Sequence, residues 1–103
     1  MKVPHNSRLP QVSPEQAEEL GVSVLVWLSG QPDLMSRFLA ISGIEAGQIR
    51  EAAAAPGFMG GVLAFIMNHE PTLMRFCEEN GTEAAHVQAC YRQLAGPGEG
   101  VWL

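Results

Sequence analysis

The apolar positions along the chain recur at helical spacing. Between residues 14 and 96 they return every three or four positions, and no useful length alternates with the period of two typical of a half-buried strand. Ser13 is placed to cap the first helix, Pro14 suits its first position, and Gln16 can close a capping box. The pattern predicts an all-α fold, a compact bundle of about six short helices.

Glycine and proline divide this region into six helical segments. The first five are predicted at about 14–29, 32–42, 45–54, 57–67 and 71–80, and the sixth begins after Thr82. The second should bury Leu34, Phe38 and Ile41. The fourth is apolar on nearly all sides, which is typical of a central helix. Its Gly57 and Gly61 form a GxxxG step, which predicts close approach of another helix, from the same chain or from a second copy.

The middle of the chain contains an internal repeat. Aligning 24–52 with 62–90, a shift of 38 positions without a gap, gives seven identical pairs among twenty-nine, where unrelated sequences would give about two. Arg37 and Arg75 form one of these pairs, each followed by phenylalanine. We therefore expect two tandem three-helix units with pseudo-symmetry. The recurring arginines could bind a partner or form a surface salt bridge.

The two ends of the chain differ in composition from the helical domain, 14–96. Residues 1–13 carry two prolines and few large apolar groups, and we expect a flexible arm. We also expect a flexible tail at 97–103, although it ends in the apolar residues Val101, Trp102 and Leu103. These three either dock back onto the bundle, which we favour, or form a short motif for another protein.

The charge balance argues against general nucleic-acid binding. Eleven acidic residues against six basic ones give a net charge of −5, and from residue 14 onward only four arginines face all eleven acids. Such a surface repels phosphate backbones. The alternative is a helix-turn-helix in 34–52, whose second helix offers only Gln48 and Arg50 for reading bases.

The cysteines and the apolar runs bear on the compartment. Cys77 and Cys90 lie in a chain without a recognisable secretion signal, so we expect reduced thiols and a cytoplasmic protein. The longest uncharged run, 52–68, is shorter than the ~20 apolar residues of a membrane span and is interrupted by Pro56. We expect no membrane association.

No group of residues forms a recognisable catalytic or metal site. His86 and Cys90 are four positions apart on one helix, but no paired histidines and no Cys-x-x-Cys accompany them. Neither an orienting acid nor an oxyanion donor can be named for a Cys-His nucleophile pair. We therefore predict no catalytic residue, no metal and no cofactor, and a protein that is not an enzyme.

Three sequence segments carry a family resemblance. The stretches VLVWL, RFLAISG and IREAAAAPGF, the last running directly into an apolar helix, resemble a family of short alphaproteobacterial proteins known only as a domain of unknown function. The resemblance covers about 14–96. It implies a small, all-helical, bacterial cytosolic protein, and it supplies no catalytic residue, substrate or cofactor.

These observations favour a helical protein–protein interaction or adaptor module. Its partner, an unidentified protein, would bind in an apolar groove between the two halves or at the tail. The candidate partner-binding residues are Arg37, Arg75, Val101, Trp102 and Leu103. A homodimer is an open alternative for the oligomeric state, and a helix-turn-helix-like nucleic-acid-associated regulator is the alternative function.

Overall fold

A computed structural model of the protein describes residues 11–95, which form six α-helices and no strand. The helices are α1 Pro14–Ser29, α2 Pro32–Ser42, α3 Ile49–Ala52, α4 Phe58–Met67, α5 Glu70–Asn80 and α6 Ala84–Ala95. A 3-10 turn, Ala46–Gln48, leads directly into α3. The predicted all-α class and number of helices are confirmed. In 11–95 no helix is both long and apolar enough to cross a membrane.

Local interactions set the helix ends. At α1, Ser13 Oγ accepts a hydrogen bond from the Gln16 backbone N–H, and Gln16 Oε1 accepts one from the Ser13 backbone N–H, which completes the predicted capping box. Helices α2 and α5 end at Gly43 and Gly81, whose φ angles are 76° and 64°. Glycine adopts this left-handed conformation without the steric cost that a Cβ brings, so both helices stop where the sequence predicts.

Helices α1, α4 and α6 pack against one another to form the core, with α2 beside α1 and α5 beside α4. The largest fully buried side chains are Phe76, Leu28, Leu63, Ile66, Val24, Val62, Val87 and Cys90. The predicted central position of α4 is confirmed. Helices α1 and α4 meet closely at Gly21, where an added Cβ would lie 2.8 Å from Met59 Cβ. A larger residue there would force the helices apart.

The two predicted repeat units agree in their first two helices. Helices α1 and α4 end 38 positions apart, and α2 and α5 begin and end 38 positions apart. Their third helices differ, because α6 is continuous over twelve residues whereas α3 has four. The predicted third helix, about 45–54, is shorter in the structure and begins as a 3-10 turn. Gly47 weakens helix formation, and no residue of α3 or its preceding turn is fully buried to compensate. Pseudo-symmetry of the complete units stays a prediction.

Candidate functional site

An open cavity of about 340 Å³ lies between α2 of the first unit and α4 of the second. We call it the apolar groove. Its lining consists of Phe38, Ile41, Ser42, Ile44, Gly57, Phe58, Gly61, Ala64, Phe65 and Asn68. None of these side chains titrates, and only Ser42 and Asn68 have polar side chains. The groove is therefore suited to apolar side chains.

Three aromatic rings give the groove a firm base. The Phe38 ring packs edge-to-face against Phe65, with centroids 5.4 Å apart, and against Phe58, with centroids 6.1 Å apart. Phe38 and Phe65 are buried, and Phe58 is half-buried. The base of the groove is therefore made of rings that pack on one another within the bundle.

Ile41 lies at the open side of the groove and is 70% exposed. The prediction that α2 buries Ile41 together with Leu34 and Phe38 is therefore wrong for Ile41. The physical reason is the cavity itself, since no described residue fills the space between this side chain and α4. Exposure of a large aliphatic side chain next to an apolar cavity is typical of binding surfaces.

The glycines of α4 contribute depth. No described residue lies within 4 Å of a Cβ built at Gly57 or Gly61, so the expected contact with another helix of this chain is absent at these two glycines, although Gly60 beside them does approach α6. The close approaches occur elsewhere, at Gly21 and, less tightly, at Gly60, where a Cβ would lie 3.6 Å from Leu94 Cβ. Gly57 and Gly61 instead leave room on the groove side of α4.

Arg37 lies beside the groove. It precedes Ile41 by one helical turn, so both residues lie on the same side of α2. Arg37 is exposed and makes no hydrogen bond or ion pair with any residue of 11–95. The Arg37 guanidinium is therefore free of contacts that would fix its position within 11–95.

Arg75 has a different setting, in a group we call the polar clamp: Trp27, Gln31, Arg75 and Glu79. Arg75 donates to the side-chain oxygen of Gln31, pairs with Glu79 at 3.6 Å, and lies 5.9 Å from the centre of the Trp27 ring. Trp27 Nε1 donates to Glu79 Oε1 at 2.8 Å. The clamp fastens α5 to the end of α1, and Arg75 is already satisfied by it.

The remaining candidate residues, Val101, Trp102 and Leu103, lie outside the described residues, as do 1–10 of the predicted arm and all of 97–103. Part of the arm is fixed to the bundle. Val12 packs against the core, and its carbonyl accepts a hydrogen bond from Gln93 Nε2 at 2.7 Å.

The part of the chain that forms the six helices matches the model of a known protein family. Residues 14–97 match DUF3572, which is described as a protein of unknown function. The chain belongs to this family. The match covers both the apolar groove and the polar clamp, and it confirms the resemblance to a family known only as a domain of unknown function. No curated protein and no solved structure matches the chain.

The thiols of this DUF3572 protein are free and buried. Burial raises the pKa of both Cys77 and Cys90, so they stay protonated at neutral pH and react slowly. Cys90 Sγ lies 3.6 Å from His86 Nε2, the pair expected on one side of α6. Within 11–95 no group of three His, Cys, Asp or Glu side chains could hold a metal.

An apolar groove between the two halves of the domain was expected from the sequence, but the residues that line it were not. Ile41, Phe58, Gly61 and Phe65 were not identified as site residues. A signal was present, because α4 is apolar on all sides although it lies in a small domain. Periodicity does not tell which side of such a helix is left without a neighbour.

Proposed function

We propose that this DUF3572 protein is a non-enzymatic interaction module that binds an apolar segment of another protein in the groove between α2 and α4. The observation that carries the proposal is the exposure of Ile41 beside a preformed aromatic cavity. Apolar side chains that leave water for such a cavity contribute about 25 cal/mol per Å² of buried surface. Large apolar anchors in preformed pockets supply most of the energy at protein interfaces.

The chemistry of the lining supports a protein segment over a reacting substrate. Catalytic pockets bring together titratable side chains, and the groove lining contains none. Ser42 and Asn68 offer polar contacts to the backbone of a bound segment. Arg37, on the same side of α2, offers a charge that favours a segment with an acidic residue near its apolar ones.

The polar clamp supports the same proposal. The clamp and the groove lie at positions that the 38-residue shift aligns, and at the clamp the chain closes the contact with its own side chains. At the groove, Ile41 takes the place of Glu79 and Phe65 takes the place of Trp27. The chain thus keeps an open apolar contact where its other half forms a closed one.

The helix-turn-helix alternative has less support. Its second helix would consist of the 3-10 turn Ala46–Gln48 and α3, about two helical turns in all. A recognition helix must present several side chains along the major groove. Arg75, one of the arginines that would have to gather on a common face, is held in the polar clamp. We therefore prefer the protein-binding function.

We also place the protein in the cytoplasm of a bacterium, as its resemblance implies. Two free, buried cysteines support a reducing compartment, because secreted proteins of this size usually pair their thiols. Fractionation of the source cells, with antibody detection of the protein, tests this location. Recovery with membranes or outside the cell would contradict it.

The test of the function compares two exposed apolar residues. Ile41→Glu places a charge at the groove, and Val26→Glu places one on α1, where Val26 is 65% exposed and does not line the groove. Tagged wild type and both variants are used for affinity capture from lysate of the source cells, with and without nuclease. Melting curves confirm that both variants are folded.

We expect proteins that bind wild type and Val26→Glu, fail to bind Ile41→Glu, and remain after nuclease treatment. Such proteins should then bind purified wild type directly. Equal capture by all three chains would overturn the proposed function. Loss of every co-purifying protein after nuclease would favour the helix-turn-helix alternative instead.

A further inference from the structure

The end of α6 lies beside the beginning of α4. Leu94 is the residue nearest to Gly60, since a Cβ at Gly60 would lie 3.6 Å from Leu94 Cβ. Gly60 is followed directly by Gly61, which lines the apolar groove. The chain therefore leaves the described residues, after Ala95, close to the end of the groove formed by Gly57, Phe58 and Gly61.

The next residues are numerous enough to reach the groove. Residues 96–100 read GPGEG, and five extended residues span up to ~17 Å. Passing around an α-helix with its side chains means crossing a diameter of about 10 Å. The groove extends along α4 from Gly57 to Asn68, which is about 17 Å of helix. Once the chain has passed around the helix, residues 101–103 reach the end of the groove formed by Gly57, Phe58 and Gly61, and they extend from there up to ~10 Å along it.

The chemistry of these residues matches that of the groove. Val101, Trp102 and Leu103 are large and apolar, as the lining requires. Glu99 is the single charged residue of 96–103, and it precedes Val101 by two positions. Arg37 is an exposed cation without an ion pair in 11–95, one turn from Ile41. The carboxylate of Glu99 can therefore pair with Arg37 while the apolar residues enter the groove.

We infer that the chain's own residues Val101, Trp102 and Leu103 bind in the apolar groove of the same molecule, with Trp102 as the main anchor and Glu99 beside Arg37. The docked tail covers Ile41 and fills the space left by Gly61. Under the proposed function, on which this second step rests, the tail competes with the protein partner for one site. Removal of the anchor then raises partner binding.

The docking is tested on the full-length chain alone. Isotope-labelled wild type and Trp102→Ser are compared by NMR, with the Ile41 methyl and Gly61 amide signals reporting on the groove. The Val26 methyl signals serve as the control, since Val26 does not line the groove. We expect Ile41 and Gly61 to shift several-fold more than Val26, by the same amount at every protein concentration.

A second variant tests the contact from the other side. Ile41→Glu, compared with Val26→Glu, should increase quenching of tryptophan fluorescence by acrylamide, because Trp102 is released to solvent while Trp27 stays in the polar clamp. Unchanged Ile41 and Gly61 signals in Trp102→Ser would overturn the inference. So would shifts that grow with concentration together with a dimer in sedimentation, since the tail would then occupy a second copy.

The two proposals fail separately. NMR of the isolated chain measures tail docking without a partner, whereas the capture experiment measures the dependence of a partner on Ile41. If the tail docks but no captured protein depends on Ile41, the proposed function is overturned and the inference about the tail stands. An Ile41-dependent partner whose binding is equal in wild type and Trp102→Ser would overturn the competition.

Discussion

The polar clamp and the apolar groove lie at positions that the 38-residue shift aligns, and one is closed whereas the other is open within 11–95. The clamp lies between α1 and α5, and the groove lies between α4 and α2. The pairs of corresponding residues, clamp first, are Trp27 and Phe65, Gln31 and His69, Arg75 and Arg37, and Glu79 and Ile41. The clamp is closed by hydrogen bonds and an ion pair, and the groove is open.

At two aligned positions the clamp has Trp27 and Glu79 where the groove has Phe65 and Ile41, and only the first pair can form a hydrogen bond. Trp27 has an indole N–H that needs an acceptor, and Glu79 supplies one at 2.8 Å. Phe65 has no donor and Ile41 has no acceptor, so the groove leaves no polar group unsatisfied when it is open. What it leaves is apolar surface in contact with water, which favours binding of another apolar group.

The largest expected effect is the loss of stability when the phenylalanine next to each contact is truncated to alanine. Phe76 is 1% exposed and packs edge-to-face on Trp27, whereas Phe38 borders the groove. Phe76→Ala should lower the free energy of unfolding by about 4 kcal/mol, because it leaves a closed cavity. Phe38→Ala should lower it by about 3 kcal/mol, because water already reaches that side. Urea denaturation measures both free energies of unfolding. A larger loss for Phe38→Ala would contradict the expectation that the groove side is already open to water.

The second prediction concerns the indole of the clamp. Trp27→Phe gives this position the side chain type found at Phe65, and it removes the hydrogen bond to Glu79. The free energy of unfolding should fall by about 1 kcal/mol, because the lost bond is to a charged but exposed acceptor. A double-mutant cycle with Glu79→Ala, which removes the acceptor, isolates the coupling between the two side chains. Zero coupling would show that the bond does not close the contact.

The third prediction compares the two arginines. Arg75→Ala should lower the free energy of unfolding by about 0.5 kcal/mol, since its side chain is 43% exposed and its contacts are partly screened by water. Arg37→Ala should leave it unchanged within about 0.3 kcal/mol, because Arg37 has no bonded partner in 11–95 and the proposed pair with Glu99 is an exposed ion pair, which contributes little to stability. Melting temperatures of both variants, measured at low and high salt, check the prediction. Equal losses would mean that Arg37 also has a structural partner.

The smallest expected effect is at Ile41. In a Trp102→Ser chain, in which the docked tail no longer covers this position, Ile41→Glu should change the free energy of unfolding by less than about 0.5 kcal/mol, because no residue of 11–95 buries the side chain. The corresponding position already carries a glutamate, Glu79, on an otherwise similar helix. Chemical denaturation beside Val26→Glu gives the measurement. A loss of more than about 1 kcal/mol would make Ile41 part of the core instead of a binding residue.

Much of the fold could be predicted because its signals are local. The capping box at Ser13 and the glycine stops at Gly43 and Gly81 depend on residues within one turn, and the structure contains all of them. The prediction was wrong for Ile41, and the third helix is shorter than predicted. Apolar periodicity marks a side of a helix without showing whether a neighbour covers its full length.

The candidate site was predicted only in outline. Arg37 and Arg75 looked alike in the sequence, each next to a phenylalanine, and an apolar groove between the halves was expected without its residues. In the structure the two arginines have different surroundings: Arg75 contacts Gln31 and Glu79, and Arg37 has no such contact within 11–95. The tail residues Val101, Trp102 and Leu103 lie outside the described residues, and their role is the subject of the NMR test.

The sequence by itself determined the all-α class, the ends of most helices and the central position of α4, because caps, glycine stops and apolar spacing act between neighbours in the chain. Only the tertiary structure showed that side chains join α1 to α5 at the polar clamp, whereas a cavity remains between α2 and α4 at the apolar groove. That outcome depends on side chains brought together from distant positions, such as Trp27 with Glu79 and Phe38 with Phe65. A residue's own neighbours in sequence do not determine which side chain it meets across the bundle.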